Sequence, residues 1–183
     1  MPLTDIAYLA ILIFAAAVLY SSVGHGGASA YIAAMALLGV APEVMKPTAL
    51  VLNILVASIG TVRFAQAGYF SWRALWPFLA GSMPLAFIGG AITLPGGAYK
   101  VVVGVILLFA AVWLALPERV KSERPSRFPL IPIAPAIGVG GVIGLLSGLT
   151  GTGGGIFLSP LLIFSHWARM RESAGVCAPF ILA

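Results

Sequence analysis

Charged side chains are scarce in this sequence: only 8% of its 183 residues are Asp, Glu, Lys or Arg, whereas 61% are hydrophobic. A soluble protein of this length needs far more charge to cover its surface. Cysteine occurs once, at Cys177, so no disulfide can form within the chain. The scarcity of charge excludes a soluble globular protein and indicates an integral membrane protein.

Four stretches contain no charged residue at all: 6–42, 74–99, 101–117 and 128–168. A helix needs about 20 apolar residues to cross the hydrocarbon core of a bilayer. The mean hydropathy of +1.09 agrees with several such crossings. We therefore predict an all-α, polytopic integral membrane protein whose helices contact membrane lipid.

The net charge of +5 could suggest a nucleic-acid partner, but its placement argues against one. The largest share lies in one short segment, "PERVKSERPSR", at residues 117–127. Short basic loops set the orientation of membrane proteins, so this segment is predicted to be a cytoplasmic hinge. No Lys or Arg precedes Lys46, so the N-terminal apolar stretch is interpreted as a retained first span and not as a cleaved signal peptide.

The sequence repeats itself at an offset of 127 residues. The segment "VGHGGASAYIAAMALL" (23–38) aligns with "TGTGGGIFLSPLLIFS" (150–165), which superposes two glycine clusters. We predict a first transmembrane repeat at 1–117, a basic hinge at 118–129 and a partial second repeat at 130–183. The second copy lacks about 60 residues of the pattern. We expect that the chain is truncated; the alternative is that a partner supplies the missing helices.

The number of spans decides how the two copies are oriented. The first copy has five hydrophobic segments, and the second has two with the start of a third: 6–22, 28–41, 47–65, 74–94, 99–116, then 130–149, 155–167 and from 173. Five crossings would insert the copies upside down relative to each other. If the short second segments do not cross, each copy has four spans and the repeats are parallel. The distribution of Lys and Arg favours the inverted arrangement, with the N-terminus outside.

The two glycine clusters mark the candidate site. Short, glycine-interrupted segments at matching positions of inverted repeats point to a transporter's binding site near the membrane midplane. Helices beginning at Ala28 and Gly155 would direct first-turn N–H groups, with their partial positive charge, towards an anion. Glycine lets the backbone approach the ligand closely. We predict that the two helix ends face each other across one substrate-binding site made of Gly24, His25, Gly26, Gly27, Ser29, Thr150, Gly151, Thr152, Gly153, Gly154 and Gly155.

Each of these residues also has a structural interpretation. Membrane glycines most often allow helices to pack closely, and His25 is either an interhelical hydrogen-bonding group or a group that titrates and couples transport to protons. Asn53 is interpreted as an interhelical hydrogen-bonding residue. No acidic residue lies near His25, so no metal site is predicted. Because no catalytic constellation or nucleotide-binding loop is present, neither an enzyme, a cofactor nor an ATP-driven pump is expected.

Three segments carry a resemblance to a known family: "SSVGHGGASAYIAAMALLGVAP" (21–42), "KPTALVLNILVASIGTVRFAQAGYFSW" (46–72) and "GLLSGLTGTGGGIFLSPLLIF" (144–164). Together they resemble the sulfite exporter TauE/SafE family. The resemblance extends over essentially the whole chain and includes both glycine clusters, with His25 in the first. The chain departs from the family by lacking the end of the second copy.

The resemblance implies a secondary carrier in the bacterial cytoplasmic membrane that moves small sulfur-containing anions such as sulfite, sulfoacetate or other organosulfonates. The expected function is therefore that of an anion permease or exporter. The alternative is a truncated, non-transporting membrane subunit or scaffold derived from such a carrier. Homo-oligomer formation is left open.

Overall fold

The computed structural model describes residues 3–92, 95–115, 131–165 and 167–183, and all regular elements within these ranges are helices. They are α1 (Leu3–Ser22), α2 (Ala28–Leu37), α3 (Pro42–Gln66), α4 (Trp72–Ala91), α5 (Gly96–Ala115), α6 (Ile133–Thr150), α7 (Gly155–Phe164) and α8 (Met170–Leu182). The predicted all-α fold is confirmed. The predicted basic hinge, 118–129, lies outside the described residues, and the division into domains stays a prediction.

Four of the helices, α1, α3, α4 and α6, are long and apolar enough to cross a membrane. The short helices α2 and α7 have 10 residues each. At 1.5 Å per residue, each covers about 15 Å, half the thickness of the hydrocarbon core. The chain is thus a multi-pass helical membrane protein that contains two half-length helices.

The two half-length helices lie in the interior of the protein. Tyr31 and Ile32 of α2 are at most 1% exposed and pack in a core cluster with residues of α3 and α5. Leu158 and Leu162 of α7 are fully buried in a second cluster, formed with α4, α6 and α8. Irregular backbone at membrane depth is tolerated where protein surrounds it. This burial explains how the chain can break two helices inside a bilayer.

The directions of the packed helices can be read from their contacts. Along α4 and α6 the neighbouring pairs are Phe78 with Gly140 and Ser82 with Gly144, so the two helices are parallel. Along α3 and α8 the numbering runs in opposite senses: Gly175 lies beside Tyr69, just beyond α3, and Ala178 beside Gly60. The helices α3 and α8 are therefore antiparallel. They are also counterparts in the repeat alignment.

Glycines bring α6 into close contact with α4. A Cβ atom on Gly140, Gly144 or Gly148 would overlap a backbone carbonyl of α4. Backbone cannot move aside as a flexible side chain does, so each of these positions requires the smallest residue. Gly138, on the same helix, differs because a Cβ there would meet open space.

This contrast leads to a stability prediction. We expect Gly144→Ala to destabilise the protein by about 1–3 kcal/mol, because the methyl group must push α6 away from the Ser82 carbonyl. Thermal unfolding of the detergent-solubilised protein measures the change, with Gly138→Ala as the matched control. Equal melting temperatures for the two variants would contradict the close packing of α4 and α6.

Candidate functional site

Two helix breaks form the framework of the site. In the first, α1 ends at Ser22 and α2 begins at Ala28; in the second, α6 ends at Thr150 and α7 begins at Gly155. The predicted starts of both short helices are therefore confirmed. The residue before each short helix, Gly27 or Gly154, has a positive φ of 88° or 62°, a conformation that glycine adopts without strain.

The two breaks are neighbours in the folded protein. A Cβ on Gly155 would lie 3.8 Å from Cδ2 of His25, which places the first break against the start of α7. A Cβ on Gly26 would overlap the side-chain oxygen of Asn53, and one on Gly153 would overlap its side-chain nitrogen. The amide of Asn53, from the middle of α3, thus lies between the two glycine clusters.

Asn53 makes one hydrogen bond and leaves a second group unused. The backbone N–H of Ala28 donates to Asn53 Oδ1 at 3.1 Å, which joins α2 to α3 as the interhelical interpretation predicts. The side chain is only 2% exposed. Its Nδ2 has no hydrogen-bond partner in the described part of the chain, and the same is true of Nδ1 of His25. Buried polar atoms are rarely left unpaired, so both need an explanation.

Several of the predicted ligand groups already have partners. The Ala28 amide is held by Asn53, and the Gly155 amide donates to the Gly153 carbonyl at 2.6 Å. The hydroxyls of Thr150 and Thr152 lie 2.9 Å apart, and Thr150 Oγ1 also donates to the Leu146 carbonyl at 2.7 Å. The remaining hydroxyl, that of Ser29, makes a long contact of 3.4 Å with Tyr20 Oη. These groups stabilise the breaks in the present conformation.

A cavity of about 380 Å³ opens beside the second break, between α3, α4, α6 and α8. Of the predicted site residues, Gly151 and Gly153 line it among the described residues, and the members of the first break do not. Asn53 lines it as well and connects it to the first break. Its remaining polar side chains are Lys46, Ser82 and Ser147. The described lining contains no Asp or Glu side chain.

Lys46 is the charged residue of this lining. The predicted third segment begins at residue 47, which assigns Lys46 to a loop, but α3 begins at Pro42 and includes it. Its Nζ donates to the Gly90 carbonyl, at the end of α4, over 3.4 Å. An ammonium group has three N–H donors, so one bond to Gly90 leaves two for a ligand. Lys46 could have been identified from the sequence as a single lysine next to an apolar segment. An ionisable residue within a membrane is by default a candidate functional residue.

A multi-pass helical membrane protein with two neighbouring helix breaks, one of them beside a cavity, has features typical of a secondary transporter. The family model described as "Sulfite exporter TauE/SafE" matches residues 9–183. The chain therefore belongs to the sulfite exporter TauE/SafE family.

A relative from Sinorhizobium fredii supports the same assignment. The "Probable membrane transporter protein y4hK" is 42% identical over 180 residues, which cover 98% of this chain and 73% of the relative. No solved structure matches the chain. Family and relative both indicate a membrane transporter.

Proposed function

We propose that this protein is a secondary permease for small anions of the sulfite and organosulfonate class, acting in the bacterial cytoplasmic membrane. The observation that carries the proposal is the chemistry of the cavity beside the second break. Its described lining combines a lysine, a side-chain amide and two serine hydroxyls, with no Asp or Glu side chain to repel an anion.

The electrostatics of the cavity favour an anion over a cation. Lys46 supplies a full positive charge, and hydrogen bonds from charged donors are about twice as strong as neutral ones. A carrier for Ca²⁺ or Mg²⁺ would require oxygen ligands, above all carboxylates. An oxyanion has three accepting oxygens, and the described lining supplies three kinds of donor: the Lys46 ammonium, the Asn53 amide and the serine hydroxyls. Sulfite and small sulfonates fit this description, and about 380 Å³ is ample for either.

The alternative of a non-transporting subunit has less support. A scaffold has no use for an unpaired, buried amide beside a cavity, since burying a polar group without a partner costs free energy. The family match extends to residue 183 and includes both breaks. Both observations favour a carrier.

The charge on Lys46 provides the test. We expect Lys46→Gln to lower methanesulfonate and sulfite uptake by about tenfold to a hundredfold, because a charged donor is replaced by a neutral one. The measurement is uptake into lipid vesicles that contain the purified protein. Lys100→Gln is the matched control, since Lys100 is an exposed lysine on α5 outside the cavity lining.

Uptake by Lys46→Gln equal to that of the wild type would refute the proposed anion site. Equal losses in Lys46→Gln and Lys100→Gln would also count against it, because they would indicate a general effect of surface charge.

A further inference from the structure

The side chain of Asn53 is held in one orientation. Its Oδ1 accepts a hydrogen bond from the backbone N–H of Ala28 at 3.1 Å. If the amide were rotated by half a turn, its NH₂ group would face the N–H of Ala28, and two donors would be opposed. The first turn of α2 therefore requires that the oxygen points towards Ala28, so the nitrogen must point away from it.

The nitrogen is the group left over for a ligand. Nδ2 is buried and has no partner within the described residues, whereas Oδ1 is satisfied. Gly153 leaves room for this nitrogen, since a Cβ on that residue would overlap Nδ2. Both Asn53 and Gly153 line the cavity. A buried donor beside a cavity is satisfied when an accepting atom occupies that cavity.

We propose that Asn53 is the specificity-determining residue of the cavity: α2 locks its amide so that only N–H donors face the ligand, and the cavity selects an anion whose exposed atoms are all acceptors. The inference rests on the proposed function of the cavity as an anion site. According to this inference, the Asn53 amide is the group that makes the cavity prefer an anion to a neutral molecule of the same shape. A site built around a hydrogen bond rejects an analogue that cannot make it.

The oxygen of Asn53 has a separate, structural role, which an aspartate would retain. In Asn53→Asp one carboxylate oxygen can still accept from the Ala28 amide, but an acceptor with negative charge takes the place of Nδ2. We expect methanesulfonate binding to fall by about tenfold to a hundredfold. Methanesulfonamide has nearly the same shape but carries an NH₂ donor, so the variant is expected to bind it better than the wild type does.

The experiment measures binding of both probes to the intact protein, purified in detergent, for the wild type, Asn53→Asp and Thr61→Val. Thr61 is the matched control, because it is also on α3 and its buried hydroxyl also has no partner in the described ranges, but it does not line the cavity. Thr61→Val is expected to bind both probes as the wild type does. A reversal of preference in Asn53→Asp supports the inference, since structural damage alone would weaken both probes. If the aspartate variant does not fold, Asn53→Ala replaces it and is expected to lose methanesulfonate binding.

Lys46→Gln separates the two proposals. If Lys46→Gln loses methanesulfonate while Asn53→Asp or Asn53→Ala binds it as tightly as the wild type, the cavity is an anion site and the inference about Asn53 is overturned. Equal weakening of both probes in Asn53→Asp also overturns it. If the wild type binds methanesulfonate no better than methanesulfonamide, the proposed anion selectivity fails, and the inference fails with it.

Discussion

Gly153→Ala is expected to abolish anion transport while the protein still folds. The added Cβ would overlap Nδ2 of Asn53 and displace the amide from its place beside the cavity. Because the φ of Gly153 is +77°, alanine also carries a backbone cost of about 1–2 kcal/mol. That cost is small beside the loss of the ligand group. Uptake of methanesulfonate into vesicles measures transport, and the yield of purified protein measures folding.

The control for this variant is Gly39→Ala. Gly39 has a similar φ of +71°, but a Cβ there would meet open space. It therefore carries the same backbone cost without displacing any side chain, and its uptake should equal that of the wild type. Equal losses of uptake in the two variants would mean that backbone strain causes the loss. Normal uptake by Gly153→Ala would mean that the second break is not part of the site.

Gly26→Ala tests the effect of an added Cβ at the first break separately from backbone strain. Gly26 is not among the positive-φ glycines, so alanine adds no strain of that kind. Its Cβ would overlap Oδ1 of Asn53, the oxygen that holds the Ala28 amide. Leucine at Gly27 or Gly154 would not test the site, because a side chain there meets Tyr31 or Phe180 and would disturb packing whatever the ligand.

The positions of the helices could be predicted where residues close together in the sequence determine them. Apolar runs identified the helices, and the glycine clusters correctly predicted that α2 begins at Ala28 and α7 at Gly155. The end of α2 was placed at residue 41, but a turn with Gly39 at positive φ ends it at Leu37. Likewise, α7 was extended to 167 and ends at Phe164. Helix ends depend on a few weak interactions, so the sequence places them less well than helix interiors.

The candidate site was less predictable, because the packing of distant helices creates it. The sequence does not identify Lys46, because Pro47 predicts the start of a segment, whereas α3 begins at Pro42 and continues through Pro47. Ser82 belongs to no motif and Ser147 is not among the predicted site residues; the two become polar lining when α4 packs on α6. For Asn53, the pattern indicated the interhelical bond but not which half of the amide remains unused.

The inverted arrangement of the two copies stays a prediction, and it leads to a clear expectation for labelling experiments. The helices α3 and α8, which are counterparts, pack antiparallel, as inversion requires. Arg171, near the start of α8, donates to Tyr69 Oη at 3.3 Å, so the chain before α8 lies at the same end of the molecule as the turn after α3. In parallel repeats with four spans each, those two segments would lie on opposite sides of the membrane.

Single cysteines at Ala67, Gly97 and Met170, all exposed positions, test this arrangement. The native Cys177 is fully buried and should not react. With a membrane-impermeant maleimide on intact cells, we expect Gly97→Cys to be labelled, whereas Ala67→Cys and Met170→Cys should react only after the membrane is permeabilised. The expectation follows from the positive-inside rule, which predicts that Arg63, Arg73, Arg169 and Arg171 lie on the cytoplasmic side. Opposite labelling of positions 67 and 170 would establish parallel repeats, and labelling of both with protection of 97 would reverse the orientation.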